Sequence, residues 1–113
     1  MRRGEIWTAA GGGDYTGRPR PVVVLQDDRF DATDSITVCP LTTDPDDLPL
    51  FRILIEPSDR NGLDETSRIM ADKVSSVRRS RLGTVLGQLD WEDMVRLNRA
   101  VITFLGLAES PRR

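Results

Sequence analysis

The run Val22-Val23-Val24-Leu25 constrains the fold more than any other stretch of the chain. Four successive apolar residues, three of them β-branched, do not alternate between core and solvent. They predict a central strand covered on both faces. The segment leading into it is Gly17-Arg18-Pro19-Arg20-Pro21. Proline is tolerated where a strand starts, which sets strand two at 20–26. Residues 10–17 before it hold Gly11-Gly12-Gly13 and read as a loop. Three successive glycines lose much backbone entropy on ordering, so this loop is either a hairpin tip or a lid over a site. Arg20 therefore stands where a loop meets a rigid strand, a position suited to handling an anion. A solvated strand-edge arginine has the same local sequence.

Residues 4–9 alternate polar and apolar and predict strand one, with Trp7 turned away from Ile6 toward something other than the main core. A polar loop follows at 27–34. Strand three is expected at 35–43, with Ile36, Val38 and Thr42 on one parity and Pro40 marking a bend, bulge or edge. After an acidic loop at 44–49, strand four is expected at 51–56 and a turn at 57–63 punctuated by Asn61-Gly62. Strand five is expected at 67–74, a short helix or turn at 77–82, and a last strand at 84–89. Asp90 then caps a helix with Glu92 and Asp93 in its first turn, and Gly106 ends it. Trp91, Met94, Val95, Val101, Ile102 and Leu105 line one broad apolar face, widened by Leu97, Ala100 and Phe104. A face that wide serves either two contacts, one to the sheet and one to a second subunit, or a single deep burial. Short strands with one terminal helix predict a mainly β fold, a small barrel with a C-terminal α-helix. One domain at 1–107 and a disordered tail at 108–113 complete the outline.

At 113 residues the chain suits one domain. Its net charge of -2 gives no global basic signature, so an anion-binding surface must be local. The arginines cluster as Arg2 with Arg3, Arg18 with Arg20, and Arg78 with Arg79 and Arg81. There is no histidine, and Cys39 is the one cysteine. That removes Ser–His and Cys–His nucleophiles, paired-histidine acid–base chemistry, an intrachain disulfide and almost every zinc site. Without a signal peptide or a long apolar run, the expected compartment is the cytoplasm. Chemistry falls to Arg, Lys, Asp, Glu, Ser, Thr or Tyr. If strands two and three are antiparallel neighbours, Arg20 lies beside Thr42 or Thr43. A guanidinium next to a hydroxyl suits a phosphate, although an ordinary strand threonine fits the spacing equally. Asp72 reads as a catalytic carboxylate or as half of a salt bridge. Arg78, Arg79 and Arg81 read as a phosphate track or a solvated face, and Tyr15 and Phe30 as base-stacking rings.

Several motifs occur together in order: Arg3-Gly4-Glu5-Ile6-Trp7, the Arg-Pro-Val-Val-Val-Leu core of 17–26, Pro40-Leu41-Thr42-Thr43, Asn61-Gly62-Leu63, Ser67-Arg68-Ile69, Asp72-Lys73-Val74, Arg81-Leu82-Gly83 and Leu86-Gly87-Gln88-Leu89. With the final helix, this set resembles the MazF/PemK family of toxin endoribonucleases across nearly the whole chain. The resemblance implies a dimeric SH3-like barrel of the CcdB/PemK kind. It implies a toxin that cleaves single-stranded RNA at short motifs without metal or other cofactor and so stops translation. The expected ends are a 2′,3′-cyclic phosphate and a 5′-hydroxyl. The implied partners are RNA, a second copy of the chain, and a cognate antitoxin whose acidic, partly disordered C-terminal segment covers the RNA groove; no membrane is involved. By position, Arg20 matches the catalytic arginine of the Arg-Pro motif and Thr42 the catalytic hydroxyl. Asp72 falls where some members place a catalytic acid. Thr43, Arg18, Asp14, Tyr15, Lys73 and Arg78 are further catalytic or RNA-binding candidates, and no metal ligand is implied. The family often writes Glu-Gln-x-Gly-x-Arg-Pro in its first loop. Here Arg-Pro is doubled, so Arg18 competes with Arg20, and strand register favours Arg20. Met70 stands where some members carry an arginine two residues before the strand-five acid. Two rival readings are a non-enzymatic gyrase poison of the same fold and an SH3-like module that binds nucleic acid or peptide. The gyrase poisons act through an apolar Trp-Gly-Ile end, whereas this chain ends Glu109-Ser110-Pro111-Arg112-Arg113.

Overall fold

The structure is a computed structural model and describes residues 1–10 and 18–108. In chain order its strands are β1 (Glu5–Ala9), β2 (Arg20–Val24), β3 (Ser35–Thr42), β4 (Arg52–Ile55), β5 (Ser67–Met70), β6 (Ser75–Arg78) and β7 (Leu82–Gln88), followed by α1 (Trp91–Leu105). They form one antiparallel sheet in the order β4-β5-β3-β2-β1-β7, with β6 added on β3. As the valine run demands, β2 is internal and covered on both faces. Val23 joins the main core with Ile6, Cys39, Leu41, Ile69 and helix residues Leu97 and Ala100. Val22 and Val24 join a second core with Ile36, Val38 and Leu82, and Trp7 packs on that second core rather than the first.

β3 is long enough to hold two partners on one edge. β6 pairs with it from Ser35 to Val38, and β5 takes over at Leu41 and Thr42. Pro40, which has no N–H to donate to a ladder, lies in the changeover. The strand expected at 67–74 accordingly stops at Met70. Ala71–Lys73 is a single 3-10 turn, and β6 starts at Ser75. Asp72 thus sits in a turn and not in a strand. Alternating burial runs on through Ala71, which is fully buried, so side-chain pattern alone does not mark the break. The stretch expected as a helix or turn at 77–82 divides between the end of β6, a 3-10 turn at Arg79–Arg81 and the start of β7.

The barrel is open: its strand path does not return from β7 to β4. The turn after β4 bridges the seam instead. Gln88 N–H donates to the Arg60 carbonyl at 3.0 Å. Buried Asn61 holds that turn. Its Oδ1 accepts from the N–H groups of Ser58 and Leu63, both at 3.0 Å, and its Nδ2 donates to the Glu56 carbonyl at 2.9 Å. Gly62, at φ 68°, and Gly87 let the two backbones meet. A Cβ on Gly62 would collide with the Leu86 carbonyl, and one on Gly87 with the Arg60 carbonyl.

α1 begins and ends where its sequence directs. Asp90 accepts from Asp93 N–H at 2.9 Å, and Gly106 adopts the left-handed conformation. Its buried side is set by Leu97 and Ala100, flanked by Met94 and Val101. Trp91 stays 79% exposed, and Ile102 and Leu105 are also exposed. This helix is therefore not buried over its whole apolar surface; a second apolar stripe faces outward. Of the tail expected at 108–113, residues 109–113 lie outside the described residues.

Candidate phosphate-binding site

β2 and β3 are antiparallel, with Val22 opposite Pro40 and Val24 opposite Val38. The same register carried two residues further sets Arg20 opposite Thr42, on one face of the sheet. Thr42 is in turn opposite Arg68 of β5. Arg20, Thr42 and Arg68 thus form a row across three adjacent strands, spanning about 10 Å at roughly 4.8 Å per strand. Thr42 keeps its hydroxyl proton available for donation. Its Oγ1 accepts the Asp44 N–H at 3.1 Å, which leaves the hydroxyl proton to point elsewhere.

A cavity of about 550 Å³ opens on this row. Arg20, Lys73 and Arg81 bring three cations to it, Thr42 and Ser75 bring hydroxyls, and Val22, Val38, Pro40 and Met70 line its apolar part. Among the described residues no carboxylate lines it. The two 3-10 turns deliver Lys73 and Arg81, and the Ala10 N–H donates to the Arg81 carbonyl at 2.9 Å. A second cavity of about 370 Å³ is shared by Arg18, Arg20, Thr8 and Thr43, but Asp64 and Glu65 also line it. Arg20 therefore borders both spaces, while Arg18 borders only the one with carboxylates. Thr42 and Thr43 likewise line different cavities.

The other expected residues are distributed as follows. Asp72 lines neither cavity. Its carboxylate takes a two-point contact from Arg52, Nε to Oδ1 at 3.2 Å and Nη2 to Oδ2 at 3.1 Å, so the salt-bridge alternative describes it. Burial works to raise its pKa, but the Arg52 hydrogen bond, a backbone hydrogen bond and nearby positive charge outweigh burial and hold it below the usual carboxylate value. Arg78 pairs with Ser35 at the opposite end of β3 from Thr42. The Arg29 guanidinium lies 5.5 Å from the Phe30 ring centroid, and Phe30 lines neither cavity. Asp14 and Tyr15 lie outside the described residues. Burial, with a smaller contribution from the Asp72 charge, pushes the Cys39 thiol up to about 11, so it stays protonated and unreactive. Among the described residues no group of three His, Cys, Asp or Glu is placed to hold a metal ion. Arg68 has no assigned role from sequence, and Arg81 has only the alternatives of phosphate track or solvated face. Alternation in β5 puts Arg68 on the outward face, but its position opposite Thr42 depends on a pairing between distant segments.

The model of a family described as PemK-like, MazF-like toxin of type II toxin–antitoxin system matches residues 2–105. A probable endoribonuclease MazF from Mycolicibacterium smegmatis is 56% identical over 108 residues, covering 96% of this chain and 99% of that protein. Endoribonuclease MazF9 from Mycobacterium tuberculosis is 29% identical and covers 95% of this chain and 98% of its own. Among solved structures, an endoribonuclease in complex with its cognate antitoxin from a mycobacterial species aligns with a TM-score of 0.79 at 25% identity, covering 97% of this chain and 99% of that one. With its open β sheet and terminal helix in that common fold and the match spanning almost its full length, the chain belongs to the PemK-like, MazF-like family of toxins of type II toxin–antitoxin systems.

Proposed function

We infer that this toxin is an endoribonuclease that cleaves single-stranded RNA by attack of a ribose 2′-hydroxyl on the adjacent phosphate. The bond from the 2′ oxygen to phosphorus forms and the bond to the 5′ oxygen breaks. The 2′ proton is released and the leaving 5′ oxygen gains one, giving a 2′,3′-cyclic phosphate and a 5′-hydroxyl end. The observation that carries this reading is the cavity with three cations, a threonine hydroxyl whose proton is available to donate, and no carboxylate among the described residues. Arg20 acts by stabilising phosphorane charge, since a guanidinium with a pKa above about 12 does not give up its proton. Lys73 and Arg81 add to that field, and Thr42 donates to a non-bridging oxygen. These cations supply the charge that a metal ion would otherwise bring, so the reaction runs without one.

The cognate antitoxin blocks the same cations with an acidic, partly disordered C-terminal segment. A second copy of the chain covers the outward stripe of Trp91, Ile102 and Leu105 on α1. No helix among the described residues is long and apolar enough to cross a membrane, and the proposed place of action is the cytoplasm, on RNA. Residues 1–107 act as a single domain.

The test is incubation of the purified protein with single-stranded RNA in excess chelator, with the ends identified by mass. Cyclic phosphate and 5′-hydroxyl ends are expected. Cleavage only after addition of Mg²⁺, or 3′-hydroxyl ends, overturns the proposal. Arg20→Ala should slow turnover at least about 10²–10³-fold, the usual cost of one donor at a developing charge. Arg18→Ala should mainly weaken RNA binding and its salt dependence.

A further inference from the structure

The row Arg20, Thr42, Arg68 does not end at the cavity. Arg68 also lines a separate groove of about 330 Å³ between the outer edge of β4 and α1. Arg52, Arg96 and Arg99 line the same groove, with Leu50 and Leu54 beside them. Two of the four guanidiniums are already neutralised. Arg52 is paired with Asp72, and Arg96 with Asp93 at 3.0 Å. Arg68 and Arg99 have no carboxylate partner among the described residues, although the Arg68 Nη1 reaches the Asp44 carbonyl at 3.4 Å. Among the described residues Asp47 is the lone carboxylate in the lining. Leu50 and Leu54 are both exposed, Leu50 at 72%, although they flank cationic side chains. Cations for phosphates next to apolar side chains for a base face are the chemistry of a nucleotide site.

We propose that this groove, entered at Arg68, holds the RNA backbone next to the cleaved bond, with Arg68 and Arg99 each binding one phosphate. This rests on RNA cleavage at Arg20 and Thr42. Arg68 is opposite Thr42 on the neighbouring strand, so RNA whose scissile phosphate lies between Arg20 and Thr42 is led to Arg68 without crossing the rest of the sheet. An acidic polypeptide would meet the same cations. The position of Arg68 opposite Thr42, at the mouth of the groove, favours RNA.

Two RNAs test it. One spans only a mapped cleavage site, and the other is extended on both sides. The Arg68→Ala and Arg99→Ala variants should each raise KM for the extended RNA about tenfold, the equivalent of one charge-assisted hydrogen bond, and Arg99→Ala, which lies off the cleavage row, should leave kcat unchanged. The difference between the two RNAs should shrink. The slope of log binding against log salt should fall by about 0.7 per arginine removed, and Arg68→Lys should restore most of it. If wild-type protein cleaves the extended RNA and both variants match it in KM and salt slope, the groove is not an RNA site. Nor is it one if the variants change only the affinity for an acidic peptide. Failure of the wild type to cleave either RNA removes the proposed function and this inference together.

Discussion

Arg52 and Asp72 show how a charged pair at the rim of the core is tied to pH. Their side chains are 12% and 13% exposed and meet through two contacts. Asp72→Asn should destabilise the protein by about 2 kcal/mol, between the worth of a surface pair and the cost of breaking a buried one. Asp72 has a folded pKa held below its unfolded value, so its contribution is complete above about pH 4 and is lost as pH falls through the folded pKa. Melting temperatures of wild type and Asp72→Asn should therefore differ at pH 7 and converge as pH falls through the folded pKa of Asp72. Equal melting at pH 7 would show that the pair stabilises nothing. At this scale the sequence was informative where neighbours along the chain decide the outcome. Pro19 and Pro21 fix where Arg20 stands, and the short Thr42-to-Asp44 contact orients the hydroxyl. Arg68 was illegible as a site residue because its neighbour Thr42 is 26 positions away and their meeting is a property of strand pairing. The partner of Asp72 was open for the same reason.

Among elements, β7 and the turn at 57–63 meet backbone to backbone, with no room for a Cβ at Gly62 or Gly87. Gly87→Ala should lower the urea midpoint by the equivalent of about 1–3 kcal/mol, because the new methyl has backbone on the other side and no flexible side chain to displace. Gly106→Ala is the internal comparison. Gly106 has a positive φ but open space around it, so its cost should be about 1 kcal/mol. Equal losses at the two sites would mean that the seam relaxes freely. The Asn61-Gly62 turn and both helix caps were legible because each is encoded within a few residues. The need for glycine at 87 was not, since nothing local distinguishes it from an ordinary strand position. The buried side of α1 was also ambiguous. Apolar residues extend around much of the helix, and only its docking on the main core singles out Leu97 and Ala100. The break between β5 and β6 is hard to read because alternation of burial continues as far as Ala71, the first residue of the 3-10 turn that separates them.

For the whole molecule, the outward stripe of α1 predicts an assembly of two chains. Ile102→Glu places a charge in that stripe and away from Leu97 and Ala100. Sedimentation should report a dimer for the wild type and a monomer for the variant, with the far-ultraviolet circular dichroism of both unchanged. A variant that stays dimeric places the interface elsewhere. The mainly β class with a terminal helix was legible from the spacing of short strands. The open seam was not, because whether a sheet closes depends on accumulated twist and on what fills the gap. The pairing of β1 with β7 joins the first strand of the chain to the last. Likewise Ile6 shares its core with Leu97 and Ala100 from the final helix. A ribosome making this protein therefore cannot complete the sheet until Gln88 has emerged, nor the main core until α1 has followed. Such ordering withholds the finished fold, and with it the completed site, from a nascent chain until its final helix has been made.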